Sequence, residues 1–269
     1  MLCGCFSPDI FLRACGIGAV AKLVTFDVWG TLLPVEPAVK TVVDVLYKSL
    51  GGRVPYQTLQ ALVGERRRVM KLLRREKHEV VPPLFVLLEI KKQLRERGIS
   101  AQFDAYQVQD AVDEAVSRLE VSPFEDALEA LKGAKNEGYR VGIISNVLFW
   151  RSRATRRLLE SLGVAQLVDL QIYADDVGYV KPSIQIFEAA KTLLLGDVVP
   201  DVYLHIGDDF YEDFLGALMA GYGAVLVDRN GKYGKRDLVE SIPCRAYIAK
   251  SLKALPLILH EAENCSTPA

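Results

Sequence analysis

The residues of this sequence that can do chemistry lie directly after short apolar runs. Asp27 follows the first run, and Lys181 stands in a later loop before a proline. A carboxylate can act as a covalent nucleophile, and an ammonium group can neutralise negative oxygens on the group under attack. Further polar residues follow the same and other runs: Trp29, Thr31, Ser145, Asn146, Asp208, Asp209 and Asp213.

Two of the carboxylates suit a metal ion. Asp27 and Asp208 offer the hard oxygen ligands that Mg²⁺ prefers, usually together with waters and a phosphate. The Ser145 hydroxyl and the Asn146 amide can donate hydrogen bonds to phosphoryl oxygens, and Lys181 adds a positive charge. Each residue alone also has an ordinary explanation, such as capping a turn or the next helix. The chemical hypothesis therefore depends on a fold that brings them together.

Six apolar runs are predicted strands, and helical patterns separate most of them. This alternation predicts a parallel sheet with helices on both faces, an α/β fold of the Rossmann-like class. The carboxyl ends of parallel strands meet at one edge of a sheet, so that edge gathers the polar residues. The predicted strands are Leu23–Phe26, Val141–Ile144, Leu170–Tyr173, Val202–Ile206, Ala224–Val227 and, at the sheet edge, Ala246–Ala249. The predicted helices are Phe124–Glu137, Trp150–Leu162, Ile184–Leu195 and Glu212–Ala220.

The segment after the first predicted strand has a different pattern, with no strand signal. It predicts four helices, Pro37–Leu50, Tyr56–His78, Pro82–Arg97 and Ala101–Glu120. An insertion of this size cannot pack within the sheet layer, so we expect a helical cap domain, residues 35–120, above the edge where ligands bind. The Rossmann-like core domain then comprises residues 22–34 and 121–269, after an N-terminal extension of residues 1–21.

One predicted cap helix is strongly basic. Between Glu65 and His78 there are seven lysines and arginines and two glutamates. Such a run is typical of a solvated helix face. It would also suit a positive surface that attracts an anionic substrate toward the cap.

In this order, and after strands of this kind, the polar residues resemble the four motifs of the haloacid dehalogenase superfamily. The resemblance rests on Asp27 with Thr31, on Ser145, on Lys181, and on Asp208 with Asp213; it extends from Leu23 to about Arg229. The inserted helices are similar to that superfamily's helical cap. The resemblance implies a hydrolase, and we expect a phosphohydrolase acting on a small phosphorylated metabolite.

The resemblance also implies roles for the motif residues. Asp27 would be the nucleophile that forms an aspartyl-phosphate, with Ser145 and Lys181 as further catalytic residues. The expected substrate contacts are Asn146, Thr31 and Trp29.

The expected cofactor is Mg²⁺. By the same resemblance its ligands would be Asp27, Asp208 and the backbone carbonyl of Trp29. Asp213 would hold a water bound to the metal.

Trp29 departs from the superfamily pattern. Most of its phosphatases have a second aspartate at this position that protonates the leaving group, and an indole cannot do so. Loss of a positioned general acid–base typically costs about 10²- to 10⁴-fold in rate. The penalty on the first step is small for an acyl phosphate or an activated aryl phosphate. A cap side chain such as His78 would substitute if it reached this side of the site.

Three other functions are consistent with the motifs. 2-Haloacid dehalogenases also have an aromatic residue in place of the second aspartate and a Ser-Asn pair, and they need no metal; the acidic Asp208 and Asp209 argue against this function. A phosphonate-cleaving enzyme would need a cap lysine to form a Schiff base, and Lys71 is the candidate. The third is a protein that binds phosphorylated metabolites with little turnover.

Composition excludes several classes. The chain has 269 residues, 50% of them hydrophobic and 25% charged, which is typical of a globular protein. Its net charge of -1 provides no overall field for binding nucleic acid or an anionic membrane. No stretch approaches the roughly 20 apolar residues of a membrane span. We expect a monomer or a homodimer.

The cysteines favour a reduced, cytoplasmic protein. They cluster near the two ends of the chain, which is not the spacing of a disulfide framework. The N-terminal extension lacks a basic start, and Pro8, Asp9 and Arg13 interrupt its apolar residues, so it does not suit a signal peptide. The five cysteines are Cys3, Cys5, Cys15, Cys244 and Cys265.

Overall fold

A seven-stranded sheet forms the centre of the computed structural model, which describes residues 21–100, 102–233 and 236–266. The strands are β1 (Lys22–Phe26), β2 (Arg140–Ser145), β3 (Leu170–Tyr173), β4 (Val202–Gly207), β5 (Gly223–Val227), β6 (Leu238–Ile242) and β7 (Ala246–Ala249). Their order in the sheet is β3-β2-β1-β4-β5-β7-β6. Six strands run parallel, and β6 is antiparallel to its neighbour β7. The expected α/β, Rossmann-like fold is confirmed.

The central strand β1 shows why these residues form this sheet. Leu23, Val24 and Phe26 are fully buried, because helices cover both faces of the sheet. Phe26 lies opposite Ile143 of β2 and Ile206 of β4. The residues that follow β1, β2 and β4 therefore emerge side by side at one edge.

The far edge of the sheet differs from the prediction. Ala246–Ala249 is a strand, as predicted, but β6 pairs with it in antiparallel register and forms the edge instead. The segment Leu238–Ile242 contains two adjacent polar residues, which interrupt the apolar run that marks the other strands.

The helices fall into two groups. The inserted group is α1 (Glu36–Ser49), α2 (Tyr56–Lys77), α3 (Pro83–Glu96) and α4 (Ala105–Ser117). The group that covers the sheet is α5 (Ala127–Asn136), α6 (Ser152–Ser161), α7 (Ile184–Leu195), α8 (a π-helical turn, Phe210–Leu215, continued by Gly216–Met219) and α9 (Leu255–Ser266). In the second group, α5, α6 and α9 pack on one face of the sheet, and α7 and α8 on the other. Among the described helices none is long and apolar enough to cross a membrane.

The inserted helices share a hydrophobic cluster of their own. Leu46 of α1, Leu62 of α2, Leu87 of α3 and Val112 of α4 are all fully buried in it. The loop after β2 adds aromatic side chains to the same cluster, among them Trp150. The four helices therefore pack together over the edge at which β1, β2 and β4 end.

The expectation that the cysteines are reduced is wrong for two of them. Cys244 and Cys265 form a disulfide that joins the turn before β7 to the end of α9. These two residues are 21 positions apart in sequence and are brought together because α9 folds back against the sheet. Cys3, Cys5 and Cys15, like most of the predicted N-terminal extension, lie outside the described residues.

A buried carboxylate connects three segments of the core. Asp126 is only 2% exposed, and it accepts hydrogen bonds from the Arg229 guanidinium at 2.9 and 3.0 Å. It also accepts one from the Leu252 N–H at 2.8 Å. The loop before α5, the end of β5 and the start of the C-terminal helical segment are thus held at one point.

We expect Asp126→Ala to lower the free energy of unfolding by about 3 kcal/mol, because Arg229 and the Leu252 N–H lose a partner they cannot replace. The neighbouring Glu125→Ala is the control, since its ion pair with Lys253 is exposed to solvent and should contribute little to stability. Urea denaturation of both variants measures the two effects. Equal losses would contradict the prediction.

The contribution of Asp126 should also depend on pH. Burial favours the neutral acid, but Arg229 and the Leu252 N–H outweigh it and lower the pKa of Asp126 below its usual value. A carboxyl group with a lowered folded-state pKa stabilises the fold above its unfolded pKa and loses that effect as the pH falls through the folded-state value. The difference in stability between the wild type and Asp126→Ala should therefore shrink between pH 7 and about pH 3.

Candidate active site

The residues that follow β1, β2 and β4 line a cavity of about 70 Å³ beneath the inserted helices. Seven of the eight predicted site residues lie on its wall: Asp27, Trp29, Ser145, Asn146, Lys181, Asp208 and Asp213. Thr31 is the exception. For these seven residues, which are distant in sequence, the geometry agrees with the prediction that they share one site.

A buried lysine organises the cavity floor. The Lys181 ammonium donates to Asp27 Oδ1 at 2.7 Å and to the Ile144 carbonyl at 2.7 Å, and it lies 2.6 Å from Asp213 Oδ1. Burial opposes its charge, but the carboxylates of Asp213 and Asp27 outweigh burial and raise the pKa of Lys181. Lys181 is therefore a permanent positive charge between two acidic groups.

Asn146 fixes the loop that carries this lysine. Its side-chain oxygen accepts from the Lys181 N–H at 2.9 Å, and its side-chain NH₂ donates to the Lys181 carbonyl at 3.0 Å. These two bonds pair the Asn146 amide with the backbone as a neighbouring strand would. The structure thus gives Asn146 a positioning role that its place after β2 alone did not reveal.

Asp27 is the carboxylate at the end of the central strand. The Ser145 hydroxyl donates to Asp27 Oδ1 at 3.1 Å, so both Ser145 and Lys181 bind the same oxygen. Asp27 Oδ2 accepts no hydrogen bond from the described residues. Burial raises the pKa of Asp27 to about 6; Lys181 counteracts this, and Asp213 adds to it.

Asp213 is held from three sides. Besides Lys181, it contacts His205 Nε2 at 3.2 Å and accepts from the Asp209 N–H at 2.9 Å. Burial disfavours its charge, yet Lys181 and His205 lower the pKa of Asp213. Both of its oxygens are thus already occupied by protein groups. Sequence reasoning missed His205, because a histidine in an apolar strand is more typical of the core.

Asp208 has no such partner. It faces the cavity and forms no hydrogen bond or ion pair with the described residues. Surrounding protein atoms remove hydration, and Asp213 and Asp27 repel its charge; these effects outweigh the attraction by Lys71 and raise the pKa of Asp208 well above its usual value. Asp27, Asp208 and Asp213 each have a ligand atom within 4.8 Å of the other two. Asp27 and Asp208 provide oxygen ligands that fit Mg²⁺, which would reduce the repulsion among the three carboxylates.

Two glycines permit this close grouping of carboxylates. A Cβ at Gly30, whose φ is +102°, would lie 2.4 Å from Asp208 Oδ2. A Cβ at Gly207 would lie 2.2 Å from the Asp213 carboxylate carbon. Either side chain would displace an acidic group from the cavity wall.

Trp29 occupies the position at which most phosphatases of the superfamily have a second aspartate. Its ring packs edge-on against Trp150 with centroids 5.0 Å apart, and its Nε1 donates to Thr155 Oγ1 at 3.4 Å. His78, the example of a cap residue that would substitute if it reached this side, is exposed at the end of α2 and does not line the cavity, so the condition is not met. No described carboxyl group or histidine of the inserted helices lines the cavity.

Thr31 lies away from the cavity. Its side chain is fully buried, its hydroxyl has no hydrogen-bond partner, and its carbonyl accepts from Arg229 at 3.0 Å. The geometry therefore assigns it to the packing of the loop after β1 rather than to a direct substrate contact.

The basic helix α2 contacts the core through three of its cations. Lys71 and Arg75 each lie 2.8 Å from the Asp209 carboxylate, which also caps α8. Arg74 donates to Glu212 at 3.0 Å, and both side chains are more than 90% buried. We expected this helix face either to be solvated or to attract the substrate. These three residues instead form ion pairs with carboxylates of the core. Their spacing in α2 was visible in the sequence, but their acidic partners were not.

The fold and this arrangement of motifs define a known class of hydrolases. A family model described as haloacid dehalogenase-like hydrolase matches residues 21–221. The chain therefore belongs to the haloacid dehalogenase-like hydrolases, as the motif order had indicated.

Relatives with assigned activities cover part of the chain. A glyceraldehyde 3-phosphate phosphatase of Methanothermobacter thermautotrophicus is 36% identical over 118 residues, which are 44% of this chain and 50% of that protein. Pyrophosphatase PpaX of Bacillus mycoides is 31% identical over 108 residues, 40% of this chain and 47% of that protein. The chain thus spans half or less of the length of these relatives.

Solved structures share the fold over most of the chain. YfnB of Bacillus subtilis, a HAD-hydrolase bound to magnesium, aligns with 90% of this chain and all of its own at a TM-score of 0.69 and 16% identity. The L-2-haloacid dehalogenase of Xanthobacter autotrophicus aligns with 89% of this chain and 98% of its own, at a TM-score of 0.61 and 17% identity. At these identities the likeness concerns the fold, which phosphatases and dehalogenases share.

The buried contact between α2 and α8 gives a test of how the inserted helices are held. We expect Arg74→Met to lower the free energy of unfolding by about 3 kcal/mol, because Glu212 is left as an unpaired buried charge. The double variant Arg74→Met with Glu212→Gln should recover part of this loss, since the second change removes that charge. Thermal unfolding of the single and double variants measures the coupling; strictly additive losses would show that the pair is not coupled.

Proposed function

We propose that this protein is a Mg²⁺-dependent phosphohydrolase that acts on a small phosphorylated metabolite through Asp27. The observation that carries the proposal is that Asp208 joins Asp27 and Asp213 in one carboxylate cluster without an ion-pair partner among the described residues. Lys181 faces Asp27 and Asp213, and α2 supplies cations to Asp209, but Asp208 has no described partner. A divalent ion would supply positive charge to Asp208, and the negative oxygens of a phosphoryl group would offset the rest of the ion's charge. The activities assigned to the two relatives support the same class of substrate.

Asp27 has one oxygen held and one oxygen free. Lys181 and Ser145 bind Oδ1 and restrain the orientation of the carboxylate, and Oδ2 is left to attack phosphorus. In this step the bond from Oδ2 to phosphorus forms, and the bond from phosphorus to the leaving oxygen breaks with its electron pair. Attack of water on the resulting aspartyl-phosphate returns the free carboxylate and releases inorganic phosphate.

The remaining residues hold the nucleophile and its surroundings in place. Asp27, Asp208 and the Trp29 carbonyl would bind Mg²⁺, which when present supplies positive charge to the phosphoryl oxygens. Asp213 has its oxygens committed to Lys181, His205 and the Asp209 N–H, so it acts by orienting Lys181. Its expected role with a metal-bound water remains part of this proposal.

Two alternatives fit the geometry less well. A metal-independent dehalogenase would have to bind a carboxylate substrate beside the unpaired Asp208, and the two negative charges repel each other. A Schiff-base mechanism would need an amine at Lys71, but the Lys71 ammonium is paired with Asp209 at 2.8 Å. An ammonium group held in an ion pair is a poor nucleophile.

Asp27→Asn should abolish phosphate release from 4-nitrophenyl phosphate, because the amide cannot form the phospho-enzyme. Release by the wild type should require Mg²⁺ and stop on addition of EDTA. Asp44→Asn, on a distant and partly exposed face of α1, serves as the matched control and should leave release unchanged. Release by Asp27→Asn, or release by the wild type in the presence of EDTA, would disprove the proposal; halide release from 2-chloropropionate with EDTA would favour the dehalogenase.

We expect kcat/KM to depend steeply on how readily the leaving oxygen departs without a proton. Trp29 and its neighbours Trp150 and Thr155 provide no acid to protonate an alkoxide. We expect kcat/KM to fall by about 10²- to 10⁴-fold from acetyl phosphate or 4-nitrophenyl phosphate to an alkyl phosphate of similar size. Comparable values for the two kinds of substrate would mean that another group protonates the leaving oxygen.

A further inference from the structure

The inner cavity opens into a larger cleft. The cavity above Asp27, of about 70 Å³, has room for roughly five water-sized groups, which suits a phosphoryl group and little more. The adjoining outer cleft is about 620 Å³, and five residues line both spaces: Val35, Arg67, Lys71, Asp208 and Asp209. Any larger part of a substrate must therefore lie in the outer cleft.

Most of the cations beside this cleft already have carboxylate partners. Lys71 and Arg75 share Asp209, and Arg229 is paired with Asp126. At the rim, Lys232 and Glu36 are exposed side chains of opposite sign. Because Asp208 and Asp228 also line the cleft, these groups together leave no excess of positive charge to attract a ligand.

Arg67 is different. It is half-buried, it lies at the junction of the two spaces, and its guanidinium forms no hydrogen bond or ion pair with the described residues. Its neighbours on the same face of α2, Lys71 and Arg74, both have carboxylate partners. A guanidinium presents a planar set of donors that fits the two oxygens of a carboxylate or phosphate.

We propose that Arg67 binds an oxyanion on the leaving part of the substrate and so selects phosphate compounds that carry a second negative group. The inference rests on the proposed function, because it places the first phosphoryl group above Asp27. The leaving group then extends past the junction, where Arg67 meets its carboxylate or second phosphate. Arg67 is a specificity residue and takes no part in bond breaking.

Three aryl phosphates of nearly equal size test this role: 3-carbamoylphenyl, 3-carboxyphenyl and 3-phosphonophenyl phosphate. We expect wild-type kcat/KM to be higher for the two anionic esters than for the neutral amide. Arg67→Met should reduce kcat/KM for the anionic esters by about 10- to 100-fold and change the amide by less than about threefold. The carboxylate and phosphonate arms show which oxyanion fits better.

Arg68→Met is the matched control, since Arg68 is the next residue of α2, is exposed and does not line either space. It should leave all three values unchanged. Arg67→Lys keeps the charge without the planar donors and should retain part of the preference. Equal losses on the anionic and neutral esters in Arg67→Met, or no anionic preference in the wild type, would overturn the proposal.

A binding measurement separates this proposal from the proposed function. Calorimetry with the corresponding benzylphosphonates, which are not hydrolysed, should show tighter Mg²⁺-dependent binding of the carboxylated compound, and Arg67→Met should remove the difference. Failure of every ester to release phosphate would disprove the hydrolase proposal, and the calorimetric preference would still decide the role of Arg67. Equal binding of the two phosphonates by the wild type would disprove that role.

Discussion

Repulsion among carboxylates is the constraint on which this site depends. Four aspartates gather where β1 and β4 end, and the protein supplies a counter-charge to three of them. Lys181 lies between Asp27 and Asp213, and the inserted helix α2 brings two cations to Asp209. Only Asp208 has no hydrogen-bond or ion-pair partner among the described residues, and it lies beside the nucleophile.

The same constraint joins the inserted helices to the sheet. Asp209 follows the unpaired Asp208 directly and receives Lys71 and Arg75, while Arg74 reaches Glu212 one helical turn further on. Adjacent residues thus serve different purposes, one facing the cavity and the next anchoring the helices above it. Because the anchor and the cavity share one short segment, the position of α2 and the shape of the site are physically linked.

The sequence was sufficient for elements whose signals are local. Apolar runs bounded by polar residues located β1 and β4 to within a residue, and parallel strand ends explain why Asp27 and Ser145 meet. It failed where structure depends on contacts between distant segments. The partner of Arg74 lies 138 residues away, the π-helical turn of α8 was read as ordinary helix, and α4 begins later than predicted because Asp104 caps it. Nor could the sequence show that Trp150 and Thr155, rather than an acid, surround Trp29.

The contact between Trp29 and Trp150 has an optical consequence. The chain contains only two tryptophans, and both line the cavity, with ring centroids 5.0 Å apart. The whole tryptophan fluorescence of the protein therefore originates at this site. Its emission reports the polarity and quenching around the nucleophile, without a label and without turnover.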